Sequence, residues 1–160
     1  MLKMLKLNNI SAIGIDTKTE KFNTCNENGA EFSVSPMEND LKNKIADYSK
    51  SHDLDIVVDF VSSKSSLELG CSILGKGGRL VTLGGSGEQF LANSADMLVK
   101  ELELIGSRYC TKQELKDSLD LYARGLIEPL VSVKTDFDGA EGLHDKIEKG
   151  EIIGRAGILI

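Results

Sequence analysis

Apolar positions along this chain follow two rhythms in turn. Short continuous apolar runs alternate with stretches in which apolar residues recur every three or four positions, the patterns of buried strands and of amphipathic helices. Their alternation from end to end predicts βαβ units around a parallel sheet, an α/β fold. The clearest runs are Ile10-Ser11-Ala12-Ile13-Gly14-Ile15, closed by Asp16, then Leu54-Asp55-Ile56-Val57-Val58-Asp59-Phe60, the strongest of them, and Arg79-Leu80-Val81-Thr82-Leu83. Shorter strands are expected at residues 32–34, 102–106, 130–133 and 154–160. Ile13, Ile15, Ile56, Val58, Leu80, Val81 and Leu83 are expected to line the core, because strands of a parallel sheet are covered on both faces.

The helical stretches carry their own start and stop signals. Residues 1–7 read as the tail of a helix. Thr17-x-x-Glu20, Thr111-x-x-Glu114 and Asp138-x-x-Glu141 have the spacing of helix N-terminal boxes, and Ser62 and Ser63 are candidate N-caps. Gly29 and Gly125 suit the left-handed position that ends a helix. One face is expected to carry Leu41, Ile45 and Tyr48, another Leu67, Cys71 and Leu74, a third Leu115, Leu119 and Tyr122, and a fourth Ala140, Leu143 and Ile147. A short helix is expected around residues 96–100.

Composition narrows the function classes. With 160 residues and 41% hydrophobic content the chain can bury one sizeable core, and length alone suits one domain. The 25 acidic residues exceed the 19 basic ones, a net charge of -6, and the lysines are scattered, which argues against a nucleic-acid partner. The amino-terminal apolar stretch is short and interrupted by Lys3 and Lys6, so neither a signal peptide nor a membrane partner is expected, and the expected home is the cytoplasm. Cys25, Cys71 and Cys110 are odd in number and far apart, as reduced thiols would be, and with His52 and His144 they match no zinc spacing.

Two readings fit Asp16. An acid closing the second strand of a dinucleotide fold bonds the adenosine ribose hydroxyls and repels a 2′-phosphate, favouring NAD over NADP; a strand-end acid can also simply begin a turn. Such an acid normally lies about 20 residues after the first glycine of a phosphate-binding fingerprint. Only fifteen residues precede it here, so that loop is expected upstream of Met1. Lys21, one turn into the next helix, could reach the same ribose or stay solvated. Gly84-Gly85-Ser86-Gly87 follows a strand, where a flat ring could approach the backbone closely, or where the chain simply turns. Two histidines on lysine-flanked stretches support no nucleophilic triad.

Together these segments resemble the medium-chain dehydrogenases, in particular the zinc-type alcohol dehydrogenases, through essentially the whole chain. Ile13-Gly14-Ile15-Asp16, Lys21-Phe22 and Asn28-Gly29-Ala30 resemble the family's second strand and helix. Residues 55–61 are similar to its GVDxVxD strand, with Leu54 departing from the usual glycine arrangement. The most specific stretch is residues 69–84, similar to LxxGGRxVxxG. Glu103-Leu104-Ile105-Gly106-Ser107 resembles ELxIxGS, and residues 150–155 resemble GxxxGRxVL.

The resemblance implies a Rossmann-like doubly wound parallel sheet, truncated at the N-terminus, over residues 1–106. It implies that residues 107–160 return to a catalytic domain. The cofactor-binding residues it implies are Asp16 and Lys21 at the ribose, Phe60 and Val61 at a strand end, Leu83, Gly84, Gly85, Gly106 and Ser107 near the nicotinamide, and Arg155 at the pyrophosphate. The implied cofactor is NAD, with zinc in the complete enzyme held by Cys, His and a further Cys or acid of an N-terminal domain, none of which precedes Met1. The implied activity is hydride transfer between an alcohol, polyol or sugar and the nicotinamide, in a homo-oligomer. The chain alone is expected to lack that activity and to bind NAD weakly or not at all. Rival readings are a zinc-free quinone reductase using NADPH, a non-catalytic remnant acting through subunit packing, and a methyltransferase of related architecture.

Overall fold

The computed structural model describes residues 1–49 and 53–160; His52 lies outside the described residues. In chain order the elements are α1 (Leu2–Leu7), β1 (Ile13–Ile15), a 3-10 turn (Thr19–Lys21), α2 (Phe22–Glu27), β2 (Phe32–Val34), α3 (Leu41–Tyr48) and β3 (Ile56–Asp59). They continue with α4 (Lys64–Ile73), β4 (Arg79–Thr82), α5 (Ser94–Lys100), β5 (Glu103–Gly106), α6 (Lys112–Ala123), β6 (Val131–Thr135), α7 (Ala140–Glu148) and β7 (Arg155–Ile158). Strands and helices alternate throughout, as the hydrophobic rhythm predicts.

Among the described residues every strand pairing is parallel, and parallel neighbours need the crossover connections that the helices supply. The strands form three ladders, β1-β2, β3-β4-β5 and β6-β7. Among the described residues β1 and β3 belong to separate ladders.

The chain divides into two compact units, one of Met1–Pro36 with Thr111–Ile160, the other Met37–Cys110. In the second unit α4 lies against the β3-β4 ladder. Leu67 and Leu74 from the helix and Leu80 from β4 form the buried centre, with Val57, Cys71, Phe90 and Leu102 packed around it. Gly70 lets the helix approach: a Cβ there would stand 2.8 Å from Leu80 Cδ1. Leu41 and Ile45 are buried as the α3 stripe predicts. In the first unit Ala30, Val34 and Leu143 are buried.

The core is narrower than the strand runs imply. Of the residues expected to line it, Leu80 is buried, Ile13, Val58 and Val81 are half-buried, and Ile15, Ile56 and Leu83 are exposed. A continuous apolar run marks a strand meant for two covered faces, but in ladders of two or three short strands the helices packed on them cover only part of each face. Similarly, Leu115, Leu119 and Tyr122 share a face of α6 yet each is more than half exposed, and Ile147 of α7 is exposed as well. Periodicity says which residues lie on one face, not whether anything covers it.

Two of the three expected box spacings are not used as boxes. The turn after β1 starts instead with the Lys18 N–H donating to Asp16 Oδ1 at 2.9 Å, and α7 is preceded by the Gly139 N–H donating to Asp136 Oδ1 at 3.0 Å. At α6 the full box forms: Glu114 Oε2 accepts from the Thr111 N–H at 2.6 Å and from its hydroxyl at 2.9 Å, while the Glu114 N–H donates to Thr111 Oγ1 at 3.2 Å. The Thr111 backbone bond, then its hydroxyl, hold the Glu114 carboxyl below the usual Glu range. A depressed carboxylate stabilises above its unfolded value of about 4.3 and loses that contribution as pH falls through the lower folded value. Thr111→Ala is expected to cost about 1 kcal/mol at neutral pH. In urea titrations the gap between Glu114→Gln and wild type should be open at pH 7 and should narrow as the pH falls below about 4.3; a gap that does not change in acid contradicts the ionic box.

Candidate functional site

The register of the three-stranded ladder sets Asp59, Thr82 and Gly106 side by side at the carboxyl ends of β3, β4 and β5. The residues that follow them therefore emerge at one edge, the edge at which open parallel sheets bind ligands. The backbones stay joined one step further, with the Leu83 N–H donating to the Asp59 carbonyl at 2.9 Å and the Ser107 N–H to the Thr82 carbonyl at 3.0 Å. Phe60, Val61, Leu83, Gly84, Gly85, Gly106 and Ser107 are thus brought together, all seven of them in the second compact unit.

Their shape depends on Asp59. Its Oδ1 accepts from the Val61 N–H at 2.8 Å and the Ser62 N–H at 2.9 Å, and its Oδ2 from the Ser66 hydroxyl at 2.7 Å. Drawing in two consecutive N–H groups turns the chain sharply, and the side chains of Phe60 and Val61 are left 58% and 66% exposed. Gly84 lies on that turn so closely that a Cβ would stand 2.5 Å from the Val61 carbonyl oxygen, whereas Gly85 and Gly106 face open space. An exposed apolar pair beside two glycines with nothing over them suits the flat face of a ring.

The first unit holds the other three residues. Asp16 follows β1 with its N–H donating to the Val34 carbonyl at 3.3 Å. Its half-buried carboxylate also forms an ion pair with Lys21, whose Nζ donates to Oδ2 at 3.3 Å. Lys18 Nζ donates to the Gly150 carbonyl, tying the turn after β1 to the one before β7. Arg155 opens β7, where its N–H donates to the Leu130 carbonyl at 2.7 Å. It borders a hollow of about 220 Å³ with Ile147, Ile152 and Ala156. A larger hollow of about 350 Å³, beside Lys6, Asn9, Asn26 and Glu31, lies at the amino ends of β1 and β2, away from the ligand edge of such sheets.

Sequence reading missed the polar residues beneath the shelf. Asp59 carries the same signal as Asp16, an acid ending an apolar strand, but points inward. Ser62 and Ser63 were both cap candidates; the cap is Ser63, whose hydroxyl accepts from the Ser66 N–H, while Ser62 turns inward. Thr82 and Ser86 carry no local signal.

A family model described as zinc-binding dehydrogenase matches residues 1–124. The chain belongs to that family. Among curated relatives it resembles an NAD-dependent alcohol dehydrogenase of Sulfurisphaera tokodaii, 22% identical over 143 residues that cover 89% of this chain and 41% of that protein. It also resembles a D-arabinose 1-dehydrogenase (NADP(+)) of Saccharolobus solfataricus, 26% identical over 157 residues covering 97% and 43%. The crystal structure of the alcohol dehydrogenase of Aeropyrum pernix superposes with a TM-score of 0.86 at 25% identity, covering 97% of this chain and 44% of that one. The fold is therefore the Rossmann-like α/β fold of these dehydrogenases, and the chain spans less than half the length of each of these relatives.

Zinc, which the family's name implies, does not fit the donors present. Among the described residues no three His, Cys, Asp or Glu side chains come together to hold a metal ion. His144 sits on an exposed face of α7, 3.6 Å from Glu148. Cys110 is exposed, while Cys71 is half-buried and burial pushes its thiol above the usual range. No helix among the described residues is long and apolar enough to cross a membrane.

Proposed function

We infer that this chain is the coenzyme-binding portion of an NAD-dependent dehydrogenase acting on an alcohol, polyol or sugar. The observation that carries the reading is Asp16. Its carboxylate stands at the carboxyl end of a parallel strand, held by the Lys18 N–H and by Lys21, yet partly open to solvent. A fixed anion at that place bonds two ribose hydroxyls and repels a 2′-phosphate. That favours NAD, and it weighs against the quinone-reductase alternative, which needs NADPH.

Each group of residues then has one task. Asp16 and Lys21 orient the adenosine ribose, and Arg155 offers a cation for the pyrophosphate. Phe60, Val61 and Leu83 supply apolar surface for the nicotinamide, and Gly84, Gly85, Gly106 and Ser107 supply backbone that a ring can approach. When bound, the coenzyme supplies the hydride acceptor or donor. In this reading residues 1–106 serve the coenzyme, residues 107–160 pack on a catalytic domain in the complete homo-oligomeric enzyme, and the 160-residue chain by itself does not turn over alcohol.

Titration of the purified chain with NADH and NADPH, alongside zinc analysis and an alcohol oxidation assay, tests the reading. NADH is expected to bind with a Kd on the order of 1 mM, more tightly than NADPH. Asp16→Gly is expected to weaken NADH about tenfold and to abolish the discrimination. Equal binding of the two coenzymes by wild type, or unchanged preference in Asp16→Gly, reduces Asp16 to a turn residue. Stoichiometric zinc with measurable turnover would overturn the inactivity of the chain alone. If neither coenzyme binds at all, a remnant acting through subunit packing becomes the better account.

A further inference from the structure

We propose that Asp59, Ser62, Thr82 and Ser86 are positioning residues whose hydrogen-bonded network sets the shape of the shelf at the ends of β3 and β4 on which the nicotinamide end of the coenzyme rests. The role builds on the coenzyme reading above. None of the four needs to touch the ligand; they act through Phe60, Val61, Gly84 and Gly85.

Ser62 is the centre of the network. It is buried, at 6% exposure, and its φ of +56° lies in the left-handed region that a residue with a side chain adopts only at a cost. Such a conformation persists where the surroundings over-determine it, and it clusters at ligand sites. Here all three polar groups of Ser62 are engaged. Its N–H donates to Asp59 Oδ1 at 2.9 Å, its hydroxyl is hydrogen-bonded to the Thr82 hydroxyl, and its carbonyl accepts from the Ser86 hydroxyl.

The consequence is a strap between two loops. Besides the Ser62–Thr82 and Ser86–Ser62 bonds, the Lys64 N–H donates to Glu88 Oε2 at 2.7 Å and the Leu91 N–H to Glu68 Oε1 at 3.3 Å. Thr82, Ser86, Glu88 and Leu91, on both sides of the glycines and among them, are therefore tied to the β3–α4 turn and the first turns of α4. Gly85 has open space above it, but the residues on either side of it are held. A ring approaching this shelf meets a surface whose geometry is already set, so little ordering is left to oppose binding.

Thr82 is the place to test this, because its strand bonds are made by its backbone and the proposed role by its hydroxyl alone. Thr82→Val keeps the shape and the ladder but leaves the buried Ser62 hydroxyl without its partner; Thr82→Ser keeps the hydroxyl. The readouts on the full chain are amide shifts of Leu83, Gly84, Gly85 and Ser107 during titration with NADH, binding of AMP as the adenosine half alone, and thermal unfolding. Thr82→Val is expected to weaken NADH about tenfold, with AMP binding unchanged, and Thr82→Ser to restore wild-type behaviour. A merely structural Thr82 would lower the unfolding midpoint and weaken NADH and AMP alike, which overturns the proposal. So does NADH binding to Thr82→Val as it does to wild type, with the coenzyme reading left standing. Absence of any NADH-induced shift in wild type overturns both.

Discussion

Replacing Asp59 by Ala is expected to destabilise the chain by about 3 kcal/mol, because one side chain satisfies three donors at the end of β3. The carboxylate is only 7% exposed and accepts from Val61, Ser62 and Ser66. Bonds to a charged acceptor are each worth roughly 1.5–3 kcal/mol, but they do not add, since water can reach the Val61 N–H beside its exposed side chain. The Ser62 N–H has no such relief, and its left-handed backbone loses the group that holds it. Asp59→Asn keeps an oxygen for the two N–H groups and turns its amide toward Ser66. The Ser66 hydroxyl then relies on its other acceptor, the Ser63 carbonyl at 3.1 Å. That variant is expected to cost about 1 kcal/mol. Urea unfolding at pH 7 separates the two: at a slope of about 2 kcal/mol per molar, the Ala variant should lower the midpoint by about 1.5 M and the Asn variant by about 0.5 M. Ala and Asn variants equal to each other and to wild type would mean that the carboxylate is solvated in solution.

Leu80→Ala is expected to cost about 2–5 kcal/mol, the range for removing a buried leucine and leaving a cavity. Leu80 is 2% exposed and packs with Leu67 and Leu74 across the β4–α4 contact. The site cannot collapse easily. Gly70 brings the helix backbone against Leu80 Cδ1, and the helix is held at its start by the Ser63 cap. Because whole domains are stable by only about 5–15 kcal/mol, the loss is a large fraction of what holds the second unit together. Leu98→Ala provides the contrast: Leu98 is exposed on α5 and should change stability by less than about 0.5 kcal/mol. Comparable midpoints for the two variants in thermal or urea unfolding would remove the β4–α4 core from the account.

Much of the fold could be read from local pattern, because pattern records what each segment is built to bury. The alternation of apolar runs and three-to-four stripes is enough to predict alternating strands and helices. Leu41, Ile45, Leu67 and Leu74 were identified as inward-facing from their spacing alone, and the Thr111-x-x-Glu114 box forms as spaced. Asp16 could be singled out because a charge at the end of an apolar run is conspicuous, and Lys21 because it lies within one turn of it.

What pattern could not decide were matters between segments. Thr17-x-x-Glu20 and Asp138-x-x-Glu141 have the same spacing as the box at α6, but each helix begins one residue later, with Lys18 and Gly139 at the cap positions and no side-chain cap bond. Ile15, Ile56 and Leu83 look like core, yet whether a strand face is covered depends on what lies opposite, which no local run encodes. The row of Asp59, Thr82 and Gly106 exists only through the register of three strands drawn from residues 56 to 106. The left-handed turn at Ser62, and its bonds to Thr82 twenty positions on and Ser86 twenty-four positions on, belong to that register too. The amino-acid order determined which residues seek burial and where charge interrupts it; only tertiary pairing decided which polar groups meet, because hydrogen bonds between distant segments depend on distance and angle rather than on composition.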